Sequence, residues 1–570
     1  MHYDLVIRDG CILDGTGNPW FKADIGIRAG KISFLGHLIG QITSSKVVSA
    51  SGLVVCPGFV DIHSHSDRTL LAQPKATSSL LQGITTQAVG NCGSSMAPIT
   101  AKNRPQMVRR LTVGRDRKMR VDWRTMREYL AKLRRQGIGE NVAPFVGHGT
   151  VRSAVLGPEG SGGEKVGLSG REIRRMEILV DRAVRDGALG LSTGLTYAPG
   201  RNATTEEIVR LCKVVARHGG VYLTHIRHEG DYVVEAVREA FAISKKSKVP
   251  ANIAHHKAWG RRNWGKVRKT LKLVEQAREG GLEVTCDVYP YDRAGVSFLL
   301  RRIFAPEGDI DHKQLLKKLA DPRQFERIRE EVVNRIAAER EKANQRRKEL
   351  QLKRVVSPRF EVPGTAVVVH SNSRPDLLGK NLTEIAKLAR KDLITAAREL
   401  VIADRGETRM AGYMNERDVE TVIASPISMV STDCSSYDTP PNEREAATHP
   451  RTYGTYPRLL ARYVKERRIL SLAQAIRKVT SYPATVLKQR DRGLIRPGMW
   501  ADIVILDQQR IRDRSTFAQP TLPPEGVIYV IVNGEIAVDR EVPTGVLAGK
   551  ILALDAVRCN RIAARFDQND

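Results

Sequence analysis

The most informative segment of this 570-residue chain reads Val60-Asp61-Ile62-His63-Ser64-His65-Ser66-Asp67. Residues i and i+2 of a β-strand point to the same side, so His63 and His65 can present two imidazoles to one point, as a metal ion requires. The alternative is a histidine pair held by hydrogen bonds in a loop. A position at the end of a strand favours metal binding, because strand ends carry the chemistry of α/β barrels.

Unusual polar residues recur at the ends of later apolar runs, and helical segments separate these runs. This alternation predicts parallel βα units. Eight strands are expected to end near His63-Ser64-His65, Asn91-Cys92, Gly147-His148, Ser192-Thr193, Thr224-His225, His255-His256, Asp287-Val288-Tyr289 and Thr432-Asp433. Eight is the strand count of a (β/α)8 TIM barrel, in which the active site lies at the carboxyl ends of the strands. The predicted fold class is therefore α/β, with such a barrel at its centre.

The two chain ends have a different pattern, which is typical of β-hairpins. Short apolar runs punctuated by Gly and Asp occur near the beginning of the chain and again after residue 500. Domain termini often lie close together, so both ends are expected to form one small β-sandwich domain. We predict residues 1–57 and 486–550 for this domain, 58–485 for the barrel and 551–570 for a C-terminal tail.

One segment breaks the alternation of strands and helices. Residues from about 303 to 360 are dense in Arg, Lys, Glu and Gln and contain few large apolar residues. This composition predicts a charged, solvated helical insertion in the barrel. Two interpretations stay open: a lid over the barrel mouth, or an excursion on the surface.

The overall composition excludes several classes of protein. Hydrophobic residues make up 41%, too many for a disordered chain, and no window approaches the roughly 20 apolar residues of a membrane helix. The beginning of the chain lacks a secretion-signal pattern, and the seven cysteines show no paired spacing, so we expect a cytoplasmic protein with reduced thiols. The net charge of +29 is spread along the whole chain, which favours an anionic small-molecule substrate over nucleic acid.

The pattern begun by His63 and His65 continues at later strand ends. His225 and His255 lie at the fifth and sixth expected strand ends, and Asp433 lies at the eighth. The whole pattern resembles the amidohydrolase superfamily. Within it, roughly residues 3–550 resemble the N-acyl-D-amino-acid deacylases (D-aminoacylases). The motifs that carry this resemblance are Pro57-Gly58-Phe59-Val60-Asp61, Gly90-Asn91-Cys92-Gly93, Gly147-His148-Gly149-Thr150, Gly190-Leu191-Ser192-Thr193-Gly194, Asp287-Val288-Tyr289-Pro290-Tyr291, His449-Pro450-Arg451 and Gly493-Leu494-Ile495-Arg496-Pro497-Gly498.

The resemblance implies one tight Zn²⁺ site made by Cys92, His225 and His255. A cysteine thiolate is a strong zinc ligand, so it can take the place that a carboxylated lysine holds in many relatives. In the His255-His256 pair, the assignment of the first histidine as a ligand rests on the alignment with the family's motif.

His63, His65 and Asp433 would form an adjoining, weaker metal position. The resemblance also makes Asp433 the catalytic residue, which would accept a proton from the attacking water and return it to the departing amine. One carboxylate can act first as base and then as acid because the two steps are sequential. The implied reaction is hydrolysis of the amide bond of an N-acyl-D-amino acid.

The resemblance implies that four residues hold the carboxylate of the substrate: Lys257, Tyr289, Ser297 and Arg451. An arginine suits planar, two-point contact with a carboxylate. After Asp433 the chain reads Cys-Ser-Ser-Tyr, where the family usually places glycine, and the segment up to Arg451 is longer than usual. Both departures lie at the expected barrel mouth, so they affect the choice of substrate rather than the class of reaction.

Two other functions are compatible with a metal-binding barrel. A cyclic-amide hydrolase, such as a hydantoinase or dihydroorotase, would share the fold and the metals, but this chain lacks the bridging lysine motif usual in those enzymes. A non-catalytic binding protein on the same barrel would be expected to have lost metal ligands, and none is missing here. The oligomeric state is not predicted.

Overall fold

The computed structural model describes residues 2–39, 43–112, 120–157, 167–304, 312–349, 366–441 and 448–554. Residues 305–311 and 350–360 of the predicted insertion, and residues 555–570 of the predicted tail, lie outside this described part. The strands are β1 (His2–Ile12), β2 (Phe21–Arg28), β3 (Lys31–Gly36), β4 (Thr43–Ser49), β5 (Val54–Pro57), β6 (Phe59–Asp61), β7 (Ile84–Val89), β8 (Asn141–Pro144), β9 (Val146–Gly147), β10 (Gly190–Gly194), β11 (Val221–His225), β12 (Ala251–Ile253), β13 (Val284–Val288), β14 (Arg293–Phe298), β15 (Ala366–His370), β16 (Arg409–Tyr413), β17 (Ser428–Val430), β18 (Ile503–Leu506), β19 (Val527–Val532), β20 (Glu535–Asp539) and β21 (Val542–Pro543).

The two chain ends join in one sheet, in the order β21-β20-β19-β18-β5-β1-β2-β3, with β4 paired to β1. Strand β5 from the first part of the chain pairs antiparallel with β18 from the last part, with Val55 opposite Ile505. Both of these residues belong to one apolar cluster, which also contains Ile7 from β1 and Ile25 from β2. The chain then continues to Ile551, which bridges Val142 on β8, so the packed structure extends slightly past residue 550.

The middle of the chain contains parallel strands in consecutive order. β6, β7 and β8 pair in one sheet, and β9, β10, β11, β12, β13 and β17 pair in the next. One residue, Phe145, separates β8 from β9 along the chain. Past the strand ends, the first and last strands meet: the Asp433 amide donates to the His63 carbonyl (2.8 Å), and the His65 amide donates to the Cys434 carbonyl (2.8 Å).

Helices connect these parallel strands. Helix Gly170–Arg185 begins at Ser169, which forms a capping box with Glu172, and it buries Met176 and Val180 on one face. The connecting helices are Thr69–Ala72, Thr77–Leu80, Arg104–Thr112, Met126–Gln136, His148–Leu156, Gly170–Arg185, Thr205–Arg217, Val233–Ser247, Lys266–Glu279, Glu416–Ala424, Arg451–Arg458 with its π-helical continuation Leu459–Glu466, Leu472–Val479 and Ser481–Val486. None of the described helices is long and apolar enough to cross a membrane.

A separate unit lies between β13 and β17. Its three antiparallel strands have the order β14-β16-β15. Five helices accompany them: Leu299–Phe304, His312–Ala320, Pro322–Glu349, Leu382–Ala389 and Leu393–Ala403. The described part of the predicted insertion is helical, as expected, but the unit runs from about residue 293 to 413 and is larger than the predicted 303–360. It has its own apolar core, and residues such as Leu299, Leu400 and Met410 that build it lie outside the charged segment on which the prediction depended.

Candidate active site

Three side chains from different strand ends meet around the thiol of Cys92. Cys92 follows β7, His225 ends β11, and His255 follows β12. The Cys92 Sγ atom lies 3.6 Å from His225 Nδ1 and 3.5 Å from His255 Nε2. These three atoms lie within 4.8 Å of one another, which is close enough for all of them to bind one ion.

The backbone adopts a left-handed conformation at three of the predicted site residues. The φ angle is 52° at Cys92, 36° at His255 and 49° at Asp433. This conformation costs a non-glycine residue roughly 1–2 kcal/mol. All three residues lie just past a strand end, where the turn breaks the strand's alternation of side chains. Backbone strain of this kind is typical of functional sites, where the surrounding structure imposes it.

A second group of potential ligands adjoins the first and shares Cys92 with it. His63 Nε2 lies 3.3 Å from Cys92 Sγ and 3.5 Å from Asp433 Oδ1. His65 Nε2 lies 3.1 Å from the same Asp433 oxygen. The four donor atoms lie within 4.8 Å of one another. The structure therefore brings all six predicted metal ligands into two adjoining clusters.

The site favours the anionic forms of its acidic groups. Burial alone would raise the pKa of the Cys92 thiol, but the neighbouring imidazoles of His63, His225 and His255 lower it well below its ordinary value. Burial would also raise the pKa of Asp433, whereas the Arg451 guanidinium and His255 hold it well below its usual range. Thiolate and carboxylate are the forms that bind metal ions.

Glu229 lies behind the two histidines on the side away from Cys92. Its carboxylate is 2.9 Å from His255 Nδ1 and 3.5 Å from His225 Nε2. Each imidazole thus faces Cys92 with one nitrogen and Glu229 with the other. Ligand histidines in metal sites commonly contact a carboxylate in this way, which fixes the ring and its tautomer. One thiolate and two oriented imidazoles form a donor set that fits zinc.

Three of the predicted substrate-binding residues meet at the ring of Tyr289. The Arg451 guanidinium lies 4.5 Å and the Lys257 ammonium 5.5 Å from the ring centre. Arg451 Nη1 forms an ion pair with Asp433 Oδ2 at 3.0 Å, but the geometry is not that of a hydrogen bond. Lys257 Nζ donates to Glu229 Oε1 (2.5 Å). The two cations are therefore linked to the two carboxylates of the site.

The fourth predicted substrate residue, Ser297, lies on β14 in the separate three-stranded sheet. Its hydroxyl accepts a hydrogen bond from Arg302 Nη1 (3.5 Å). The described contacts of Ser297 therefore do not join it to Tyr289. His256 faces away from Cys92, with Nε2 2.8 Å from Thr270 Oγ1, as expected if its neighbour is the ligand. His148 pairs with Glu207 (2.8 Å) and is not part of either ligand cluster.

The sequence matches the Amidohydrolase family over residues 46–538. The chain belongs to the amidohydrolase family. It is 31% identical over 554 residues to D-aminoacylase from Alcaligenes xylosoxydans xylosoxydans, covering 97% of this chain and 98% of that protein. N-acyl-D-glutamate deacylase from the same organism is 33% identical over 553 residues, covering 97% of each chain. Within the family, this amidohydrolase therefore groups with the N-acyl-D-amino-acid deacylases, and the predicted resemblance is confirmed.

Solved structures give the same grouping. The N-acyl-D-glutamate deacylase of Bordetella bronchiseptica, complexed with zinc and a phosphonate inhibitor that mimics the tetrahedral intermediate, has a TM-score of 0.73 to this amidohydrolase. It is 30% identical, and the match covers 97% of this chain and all of that one. A D-aminoacylase structure concerned with a binuclear metal centre matches with the same TM-score, identity and coverage.

Sequence reasoning missed one residue of this amidohydrolase site. Glu229 contacts two predicted ligands and one predicted substrate residue, yet no motif in the sequence assigned it a role. A local signal existed, since Glu229 follows His225 by four residues. The segment after Asp433, where the family usually places glycine, contributes a side chain to the site. The Cys434 thiol accepts a hydrogen bond from Arg451 Nε (3.3 Å) and lies 3.2 Å from Thr452 Oγ1. Residues 442–447 of the longer segment lie outside the described part of the chain.

Proposed function

We propose that this enzyme hydrolyses the amide bond of N-acyl-D-amino acids, with one tightly held zinc ion bound by Cys92, His225 and His255. The observation that carries the proposal is the arrangement of the two imidazoles, each between the Cys92 thiol and the Glu229 carboxylate. The relatives supply the substrate class, since they are a D-aminoacylase, an N-acyl-D-glutamate deacylase and an N-acyl-D-aspartate deacylase.

The fold that we propose for the site is a closed (β/α)8 barrel beside a β-sandwich made by both chain ends. Parallel pairing within β6–β8 and within β9–β13 and β17 supports closure, as do the two backbone hydrogen bonds between the segments after β6 and β17. Only Phe145 separates β8 from β9, so the two count as one of the eight barrel strands. In such a barrel all eight strands deliver their carboxyl ends to one mouth. This arrangement accounts for how residues from 63 to 451 reach a single site.

A zinc ion bound at Cys92, His225 and His255 would supply a nucleophilic water at neutral pH and positive charge beside the amide carbonyl oxygen. Asp433 is placed to take the proton of that water, because its carboxylate belongs to the second ligand cluster, which shares Cys92 with the first. The Arg451 guanidinium keeps Asp433 ionised, which is the form that a base requires. Asp433 then returns the proton to the leaving nitrogen, which departs as the amine of the free amino acid.

Arg451, Lys257 and Tyr289 form the proposed clamp for the substrate carboxylate. Arginine offers two parallel N–H donors, lysine adds a second positive charge, and the tyrosine ring holds both cations in place. A fixed clamp beside a fixed metal accepts one arrangement of groups around the α-carbon. Strong selectivity between enantiomers follows from this geometry, and the relatives indicate that the D form is the one accepted.

His63, His65 and Asp433 form the proposed second, weaker metal position. Metal there would occupy the carboxylate that moves the proton, so filling it should lower activity rather than raise it. We also propose a cytoplasmic location, because Cys92 must stay a reduced thiol to bind the metal and reducing compartments preserve thiols.

The direct test is a screen of paired N-acetyl-D- and N-acetyl-L-amino acids with the zinc-loaded protein. We expect hydrolysis of the D compounds, with each L partner serving as a control of identical composition. A five-membered cyclic amide such as hydantoin should not be opened. Preference for L compounds, or activity limited to cyclic amides, would overturn the proposal.

A further inference from the structure

A cavity of about 210 Å³ opens beside Cys92, on the side of the site away from the clamp. One water molecule needs only about 15 Å³ of such space, so the cavity can take a chain of several atoms. Its wall next to the metal site is formed by Cys92 and by Tyr197, whose hydroxyl donates to the Cys92 carbonyl (2.8 Å) and whose ring packs edge-on against His225.

The cavity and the clamp belong to different groups of strands. Gly93, Gly149 and Gly194 line the cavity and lie at or shortly after the ends of β7, β9 and β10. The clamp residues Lys257 and Tyr289 follow β12 and β13, which lie beyond β10 and β11 in the strand order. In the proposed reaction the substrate carboxylate occupies the clamp and the amide carbonyl lies at the metal. The acyl chain leaves the carbonyl carbon in the direction opposite to the α-carbon, so the cavity is where that chain must go.

The far wall of the cavity carries a positive charge. Arg110, at the end of helix Arg104–Thr112, is the charged side chain among the described lining residues. It is exposed to solvent and donates to the Ser94 hydroxyl, which also lines the cavity. The buried Asp67 carboxylate interacts electrostatically with the Arg110 guanidinium, but the described ion pairs do not include one between Asp67 and Arg110. Gln106, one helical turn earlier, adds an uncharged amide to the same wall.

From this cavity we infer that the acyl group of the substrate carries a carboxylate, as in the half-amide of a short dicarboxylic acid, and that Arg110 binds it. The inference rests on the proposed deacylase function and names its acyl specificity. Water adds across the amide C–N bond, with its hydroxyl going to the acyl carbon and its proton to the nitrogen. The products are a free D-amino acid and a dicarboxylic acid, and no further reactant is needed.

The test compares three acyl groups on one neutral D-amino acid with the zinc-loaded, full-length enzyme. N-succinyl carries the carboxylate, N-succinamoyl is its uncharged counterpart of the same shape, and N-acetyl lacks the extension. We expect kcat/KM for N-succinyl to exceed that for N-succinamoyl by roughly 10-fold or more, as an ionic hydrogen bond requires. In Arg110→Gln, which lacks the charge, the ratio of kcat/KM for N-succinyl to that for N-succinamoyl should fall close to 1. In Arg110→Glu the ratio should fall below 1.

Arg109→Gln is the matched control, because Arg109 is an exposed arginine on the same helix that does not line the cavity. It should leave the ratio unchanged, and Arg110→Lys, which keeps the charge, should retain part of it. Hydrolysis of N-acetyl-D substrates with no preference for N-succinyl would overturn this inference and leave the proposed function standing. In a parallel pair, N-acetyl-D-glutamate and N-acetyl-D-glutamine, a preference for the charged side chain that Arg110→Gln removes would also overturn it. Absence of any activity on D substrates would instead count against the proposed function itself.

Discussion

Replacement of Arg451 by alanine separates the clamp from the rest of the site. The side chain is about nine-tenths buried, and it contacts Asp433 at 3.0 Å, the Cys434 thiol at 3.3 Å and the Tyr289 ring at 4.5 Å. Removal of one partner of a desolvated charge pair costs roughly 2–5 kcal/mol. Since about 1.4 kcal/mol corresponds to tenfold, Arg451→Ala should lower kcat/KM for N-acyl-D-amino acids by about 30-fold to a few thousand-fold.

Part of that loss is independent of the substrate carboxylate, because Arg451 also keeps Asp433 ionised. The matching substrate with a carboxamide in place of the carboxylate measures this shared part. The loss of kcat/KM on the acid should exceed the loss on the carboxamide by about 10-fold or more. Arg451→Lys should recover part of the difference, since it keeps the charge and lacks the planar fork.

Arg458→Ala is the control for removal of a large side chain from the same helix. Arg458 stacks 4.7 Å from the Tyr291 ring and pairs with Asp513 at 3.2 Å, so its loss perturbs packing without touching the clamp. This variant should treat acid and carboxamide substrates alike. Equal losses on the two substrates in Arg451→Ala would refute the clamp.

Two further variants test the proton transfer and the orientation of the ligands. Asp433→Asn should keep the fold and the tightly bound zinc, because the three zinc ligands are unchanged. Its kcat should fall on the order of 10²–10⁴-fold, because the base is lost. Near-normal turnover would mean that another group moves the proton. Glu229→Gln should weaken zinc binding by about 10–100-fold in competition with a chelator, because both imidazoles lose the carboxylate that orients them. Unchanged zinc affinity in that variant would leave Glu229 as a partner of Lys257 alone.

The strand ends could be predicted from the sequence because their signal is local. Buried parallel strands are short apolar runs, and each predicted end lies within a few residues of an observed one. His63 and His65 lie in one cluster as predicted, but both follow the end of β6 at Asp61, so the expected alternation of side chains along a strand is not what brings them together. Cys92 was different: a lone cysteine gives no local signal, and its assignment came from the resemblance rather than from its own neighbours.

The contacts that cross the site could not be predicted, because they join residues far apart in the chain. Arg451 meets Asp433 and Lys257 meets Glu229 only after the strands have assembled. The unit around β14–β16 was underestimated for a similar reason. Its middle strand in the sheet, β16, comes last in the sequence, and the apolar residues of its core lie on both sides of the charged helix on which the prediction depended.

The zinc content of Cys92→Ala tests the central claim most directly. The wild-type chain should hold about one tightly bound zinc ion, and Cys92→Ala should lose most of it, because the thiolate is the ligand that both imidazoles face. Cys212→Ala, which removes a buried thiol from helix Thr205–Arg217, should keep the full zinc content and activity. Elemental analysis of the three purified proteins measures the zinc content per chain. Undiminished zinc in Cys92→Ala would contradict the assignment of this site.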